Sequence, residues 1–224
     1  NENNELDREI LCQLCDTVDY ETAADSLYPY LLVDEPPLRQ IGEKWTITAP
    51  VDAFELIARR LRQSDLDKFN ASFQDVFGRI DPRTETPADD WLYLDSAESN
   101  LHSDWLRSGM AETLLLISQR GPSSRMRHAS PQVFADTVMS GVPNLNDNWQ
   151  ILASIRDQYP LLIEAAPSPL LDSLEHMLEA SPSAVKNLFV ESDDFFAGES
   201  LHTGLLWGLE TLAWSPDYLP RIAK

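Results

Sequence analysis

The stretch SLHTGLLWGLETLAWSPDYLPRI, residues 200–222, decides the fold that the sequence predicts. On a helical wheel its aliphatic residues fill one broad arc, while Trp207 and Trp214, seven residues apart, share the other side. Gly204 and Gly208 lie between the two faces, although each costs a helix about 1 kcal/mol relative to alanine. We therefore predict a central helix with two covered faces, two largely buried tryptophans and another segment close to the glycines. The aliphatic arc comprises Leu201, Leu205, Leu206, Leu209, Leu212 and Ala213.

The composition limits the classes of function. With 224 residues, 43% of them apolar, the chain can bury the core of one large domain or two small ones. Its 17 basic and 37 acidic residues give a net charge of −20, which repels phosphate backbones and anionic lipid. Only two cysteines occur, and neither a leader peptide nor a membrane span is recognisable. We expect a cytoplasmic protein that binds neither nucleic acid nor membranes.

Residues 1–48 predict two helices followed by a β-hairpin. Apolar residues recur at helical spacing from Leu6 to Leu14 and again from about Tyr20 to Leu32. The period then changes to alternation from Leu38 to Thr48, with a turn at Gly42-Glu43. This order is typical of a winged-helix-like module. The side chains expected to face inward from the second helix are Ala23, Ala24, Leu27, Tyr30 and Leu31.

Residues 49–121 predict a helical subdomain. Ser64 is the expected N-cap of a long helix, with Asp67 at the third position, and Gly78 ends that helix. The segment 79–100 is rich in proline and aspartate and predicts a loop that holds Trp91 to Leu94 on the domain surface. The apolar helical stretches are Phe54 to Leu61, Leu66 to Phe77 and Leu106 to Ile117, the last closed by Gly121-Pro122.

Residues 122–224 predict an irregular α-helical array, truncated at its C-terminal end. Four Ser-Pro pairs each precede an apolar helical pattern and predict an N-cap followed by a first-turn proline. Their unequal spacing excludes a strict repeat, and arrays of this type bind partners more often than they catalyse. The pairs are Ser130-Pro131, Ser168-Pro169, Ser181-Pro182 and Ser215-Pro216, and further helices are predicted at Ile151 to Tyr159, Leu161 to Ala166 and Leu170 to Leu178.

The sequence offers few residues for chemistry. Cys12 and Cys15 have the spacing of a redox pair or of half a zinc site, but further ligands are missing, so we expect buried or half-buried structural thiols. The histidines fit no metal-binding frame, and no phosphate-binding glycine loop or nucleophile elbow occurs. We therefore predict no catalytic, cofactor-binding or metal-binding residues. The other groups considered were His102, His128, His176 and His202, the acid pairs Asp89-Asp90 and Asp193-Asp194, and the basic cluster Arg120, Arg125, Arg127 and His128.

Three stretches resemble the middle region of large bacterial STAND-type NTPases, sensors implicated in antiphage defence. They are Glu5 to Leu11, Pro36 through Trp45 into the helix Phe54 to Leu61, and Gly204 through Leu219. The resemblance implies a P-loop NTPase upstream that holds ATP and Mg²⁺, then a winged helix at residues 5–48 and a helical part from residue 49. STAND winged helices often place a histidine on the nucleotide. No histidine precedes His102, so we expect no nucleotide contact from this module.

Two hypotheses about function follow. The first is a non-catalytic regulatory and interaction segment, which couples an upstream NTPase to ligand sensing or oligomerisation through protein partners or other domains of the same chain. The alternative is a free-standing helical enzyme that uses acidic residues.

Overall fold

The computed structural model describes residues 1–85, 101–121, 126–128, 130–180, 182–189 and 201–224. Within these ranges the chain is mainly α-helical and carries one small antiparallel β-hairpin. The predicted fold class, mainly α with a small hairpin, is therefore confirmed. Several residues named above lie outside the described ranges: Asp89-Asp90, Trp91 to Leu94, Arg125, Ser181 and Asp193-Asp194.

The chain opens with two short helices, α1 (Glu5–Cys15) and α2 (Tyr20–Leu27). The Asp19 carboxylate accepts a hydrogen bond from the Thr22 N–H at 2.7 Å and so fixes the start of α2. The predicted helix to Leu32 is too long, because α2 gives way to a 3-10 turn (Tyr28–Leu31) at Pro29, whose ring nitrogen donates no hydrogen bond. Tyr30 was expected to face inward and is exposed instead.

The hairpin lies where alternation predicts it. Strands β1 (Leu38–Ile41) and β2 (Lys44–Ile47) pair antiparallel, with Leu38 opposite Ile47, and Gly42 makes the turn with a φ of 60°. The indole of Trp45 donates to Glu2 Oε1 at 2.7 Å, and the Tyr20 hydroxyl donates to the same oxygen at 3.1 Å. Glu2 thus ties the hairpin to α2.

Three helices follow: α3 (Pro50–Ala58), α4 (Gln63–Phe77) and α5 (Asp104–Arg120). The start of α4 differs from the prediction, because the Asp65 carboxylate accepts the Arg62 N–H at 2.8 Å. Ser64 therefore lies in the first turn and is not the cap. Gly78 ends the helix as predicted. The inner face of α4 carries buried Phe69, Phe73 and Phe77, and the Phe73 ring contacts each of the other two.

The second half is a series of short helices: α6 (Pro131–Ser140), α7 (Trp149–Ser154), α8 (Tyr159–Ala165), α9 (Pro167–Ala180), α10 (Pro182–Lys186), α11 (Thr203–Ala213) and α12 (Leu219–Ile222). Ser130 caps α6 as predicted, since its hydroxyl accepts the Val133 N–H at 3.2 Å. Pro182 begins α10, as predicted, whereas the predictions for Ser168-Pro169 and Ser215-Pro216 are wrong. Pro167 already takes the first position of α9, so Ser168 lies inside the helix, and Ser215-Pro216 forms a turn that precedes α12.

One cluster of buried side chains runs from Ile10 in α1 to Leu212 in α11 and includes residues of all three predicted segments. Helix α5 packs against α6 and α8, and α11 also packs against α8. In the part of the chain that the structure describes, none of the helices combines the length and the apolarity that a bilayer crossing requires.

Candidate interaction surface

Helix α11 is fixed to the molecule by one face. Leu205 and Leu212 are buried there, and Gly208 lies against the Ile163 side chain of α8. A Cβ atom at Gly208 would stand 2.9 Å from Ile163 Cγ2, and one at Gly204 would stand 2.3 Å from the Arg156 carbonyl oxygen. The predicted close approach at both glycines is confirmed. Their missing side chains let α8 and the preceding 3-10 turn (Arg156–Gln158) come this near.

The opposite face of α11 is uncovered. Trp207 is 63% exposed, Trp214 is 85% exposed and Leu206 is 45% exposed. The prediction that both tryptophans are buried is therefore wrong, and α11 is not buried on two sides. The reason is its position at the rim of the array, where α8, the 3-10 turn beside it and α12 are its main neighbours. We call Leu206, Trp207 and Glu210, together with Trp214 at the C-terminal cap of the helix, the α11 face.

A single carboxylate lies within this face. Glu210 is the only charged residue of α11, and it follows Trp207 by three residues and precedes Trp214 by four, so it shares their side of the helix. It is exposed, and no described residue forms an ion pair with it. The cation of α12, Arg221, is occupied by Glu175 at 3.0 Å and Asp172 at 2.6 Å. The α11 face thus combines two exposed indoles with an unpaired negative charge.

A buried polar cluster lies next to α11 and includes Arg156, whose carbonyl Gly204 approaches. Asp81 binds Arg156 Nη1 at 2.9 Å and Arg83 Nε at 3.0 Å, while its N–H donates to the Ser154 hydroxyl at 2.7 Å. Burial raises the pKa of Asp81, but hydrogen bonds from Arg83 and Arg156 outweigh it and hold the pKa below its ordinary value. The Arg156 carbonyl is the group that Gly204 approaches, so this cluster fixes the position of α11.

Arg107 belongs to the same region and was missed by the sequence analysis. Its guanidinium donates to the Ser154 carbonyl and lies 5.7 Å from the centre of the Phe77 ring. Burial is the main cause that lowers its pKa. One signal was present, because Arg107 stands on the same helical stripe as Met110, Leu114 and Ile117, where a core residue is expected. The role of the cluster is to hold helices together.

A second buried network joins α1 to α5. Asp7 is fully buried and accepts the Ser103 N–H at 2.9 Å as well as the Ser103 hydroxyl. The imidazole of His102 is buried too, with Nδ1 3.7 Å from Asp7 Oδ1 and Nε2 3.9 Å from Asp75 Oδ2. Burial raises the pKa of Asp7, but His102 and Ser103 lead the contacts that bring it below its usual range. Since Ser103 bonds to Asp7 and also caps α5, this is a structural connection.

The two cysteines lie in the last turns of α1, and Cys12 lines a groove of about 410 Å³ between α1 and α2. Cys12 is half-buried, as expected, whereas Cys15 is exposed, which corrects the prediction for that residue. Partial burial is the main cause that raises the pKa of Cys15, and the negative charges of the Cys12 thiolate and Asp16 raise it further, so the thiolate form of Cys15 is disfavoured. Among the described residues, no three histidine, cysteine or carboxylate side chains are arranged so that they could hold a metal ion.

The other residues considered as sites are dispersed. His128 meets the edge of Phe134, His176 lies 3.5 Å from Asp147, and His202 stacks on Phe189. The two described arginines of the basic cluster bind acidic or polar groups of other segments: Arg120 pairs with Glu55, and the Arg127 N–H donates to Gln63 at 2.9 Å. These positions form no common site.

The chain was compared with protein families, with curated proteins and with solved structures. It matches no family, no curated protein and no solved structure.

Proposed function

We propose that this chain is a non-catalytic regulatory and interaction segment that contacts a protein partner through the α11 face. The observation that carries the proposal is the exposure of Trp207 and Trp214, at 63% and 85%, on a helix whose other face is fixed in the core. A buried tryptophan removes about 150–250 Å² from water, so leaving two of them exposed forgoes a large stabilisation. Tryptophan is also enriched among the residues that dominate binding energy at protein interfaces.

The attachment of α11 favours this role. Gly204 and Gly208 fit against backbone and side-chain atoms of the array, so the outer face is presented in one orientation. A surface that is rigid before binding loses less conformational entropy when a partner covers it. In a docking helix of this kind, the packed face fixes the orientation of the helix and the exposed face is available to the partner.

The larger setting that we propose is a STAND-type sensor of bacterial antiviral defence. The support for this setting is a fold-level analogy: the chain has two helices, a hairpin and a series of helices in the order that the resemblance implies. In this proposal ATP and Mg²⁺ belong to an NTPase elsewhere in the parent protein. Partner contact at α11 would then bias the state of that NTPase or its oligomerisation.

Site-specific photocrosslinking tests the proposal. A benzophenone amino acid placed at Trp207 or Trp214 should crosslink a defined protein or domain in cells that make the full protein. The matched control is the same substitution at Leu56 of α3, which is apolar and more exposed than Trp207 but lies outside the α11 face. Identical crosslinks from position 56 and position 207, or none from position 207, would contradict the proposal.

The enzyme alternative is tested separately. Asp7 and Asp81, the fully buried carboxylates of the described residues, are held ionised by hydrogen bonds, which suits structural roles better than proton transfer. An ATPase assay should detect hydrolysis in a longer parent protein and none in this segment. Turnover by the segment itself, lost on substitution of one of its carboxylates, would favour the enzyme.

A further inference from the structure

The charge at the centre of the α11 face restricts what can cover it. Glu210 lies within one helical turn of Trp207 and of Trp214, so a partner that covers both indoles also covers the carboxylate. Removing a carboxylate from water without a compensating partner is strongly unfavourable. A wholly apolar partner would leave the Glu210 carboxylate desolvated and without an ion-pair partner, because no described cation neutralises it.

We infer that the α11 face binds an amphipathic helix of a partner protein that carries an arginine or lysine within its apolar stripe. This inference rests on the proposed function and names the chemistry of its partner. A guanidinium suits the surface best, since it can stack on an indole and also form a paired hydrogen bond with a carboxylate. The two tryptophans are about 10 Å apart along the helix axis, given a rise of about 1.5 Å per residue. The matching partner pattern is an apolar residue, a cation one turn later and an apolar residue after the next turn.

The charge of the whole chain favours the same occupant. A net charge of −20 attracts a cationic partner at long range and raises its association rate. It also repels a second copy of the chain. In a symmetric contact between two α11 faces, one Glu210 would approach the other, so self-association is disfavoured both locally and at a distance.

Calorimetric titration with three synthetic peptides tests the inference. The first is an amphipathic leucine-rich helix with arginine at every seventh position of its apolar stripe; the second and third carry glutamine or glutamate there. The arginine peptide should bind most tightly, the glutamine peptide about threefold to tenfold more weakly, and the glutamate peptide not measurably. Because an acidic chain attracts any cationic peptide to some extent, variants must localise the binding.

Glu210→Gln should lower the affinity for the arginine peptide by about threefold to tenfold and leave the affinity for the glutamine peptide nearly unchanged. The double substitution of Trp207 and Trp214 by Ser should remove binding of both. Asp25→Asn is the matched charge control, since Asp25 is exposed on α2, and it should change neither affinity. Circular dichroism melts of the variants confirm that each is folded.

Equal binding of the arginine and glutamine peptides would overturn the inference and leave the proposed function standing. The same holds if Glu210→Gln and Asp25→Asn have equal effects, or if sedimentation reveals a dimer that the double tryptophan variant abolishes. No peptide binding together with specific photocrosslinks from position 207 also overturns the inference alone. If neither peptide binding nor specific photocrosslinks from position 207 are observed, the inference and the proposed function are both rejected.

Discussion

At the scale of single residues, the glycines of α11 differ from the glycine of α5 in what surrounds them. A Cβ atom at Gly204 would stand 2.3 Å from the Arg156 carbonyl oxygen, whereas one at Gly109 meets no atom within 4 Å. Helix propensity favours alanine over glycine by about 1 kcal/mol at both positions. We expect Gly204→Ala to lower the free energy of unfolding by about 1–3 kcal/mol, because α11 must move away from a backbone oxygen.

Gly109→Ala is the control for that experiment and should raise the free energy of unfolding by about 0.5–1 kcal/mol. Urea denaturation measures both variants. If Gly204→Ala were as stabilising as Gly109→Ala, the fit of α11 against the 3-10 turn would be wrong.

At the scale of secondary-structure elements, Ser130 and Ser168 share a Ser-Pro sequence but not a position. Ser130 precedes α6 and its hydroxyl accepts the Val133 N–H, while Ser168 lies within the first turn of α9. Ser130→Ala should therefore cost about 1 kcal/mol of stability, and Ser168→Ala less than about 0.5 kcal/mol. Thermal melts of the two variants provide the comparison. Equal losses would mean that Ser168 caps α9 after all.

At the scale of the whole molecule, stability should depend on acid through two buried carboxylates. The pKa values of Asp7 and Asp81 are lower in the folded chain than the ordinary value of about 3.9. Their contribution is therefore complete above about pH 5, decreases below the unfolded pKa and is lost as the pH falls through the lowered folded pKa values. We expect the melting temperature to fall steeply in that acidic range.

Asp7→Asn isolates part of this effect. The variant should be less stable than the parent at neutral pH, since Ser103 and His102 lose a charged partner, and its melting temperature should fall less on acidification. Asp25→Asn on the exposed side of α2 is the control and should preserve the parent profile. An unchanged acid slope in Asp7→Asn would refute the assignment.

The sequence by itself determined the local structure, because helix and strand periods are properties of neighbouring residues. It placed α4, α5 and the hairpin. It also assigned Gly204 and Gly208 to a close contact, since glycine inside a helix costs stability unless a neighbouring segment packs against it. Helix ends were less accurate, as at Ser64, because Asp65 follows Arg62 at the same spacing as Asp67 follows Ser64, and the helix begins at the earlier of the two positions.

Only the tertiary structure decided which apolar face of α11 is covered. The wheel places Leu205 and Trp207 on two apolar faces, but burial of a face requires a neighbouring element, and the array supplies one on the side of Leu205. The same holds for the buried charges. Asp7 and Ser103 are 96 positions apart, and no local pattern encodes their meeting. The candidate interaction surface is thus the apolar face of α11 that no neighbouring element of the described chain covers.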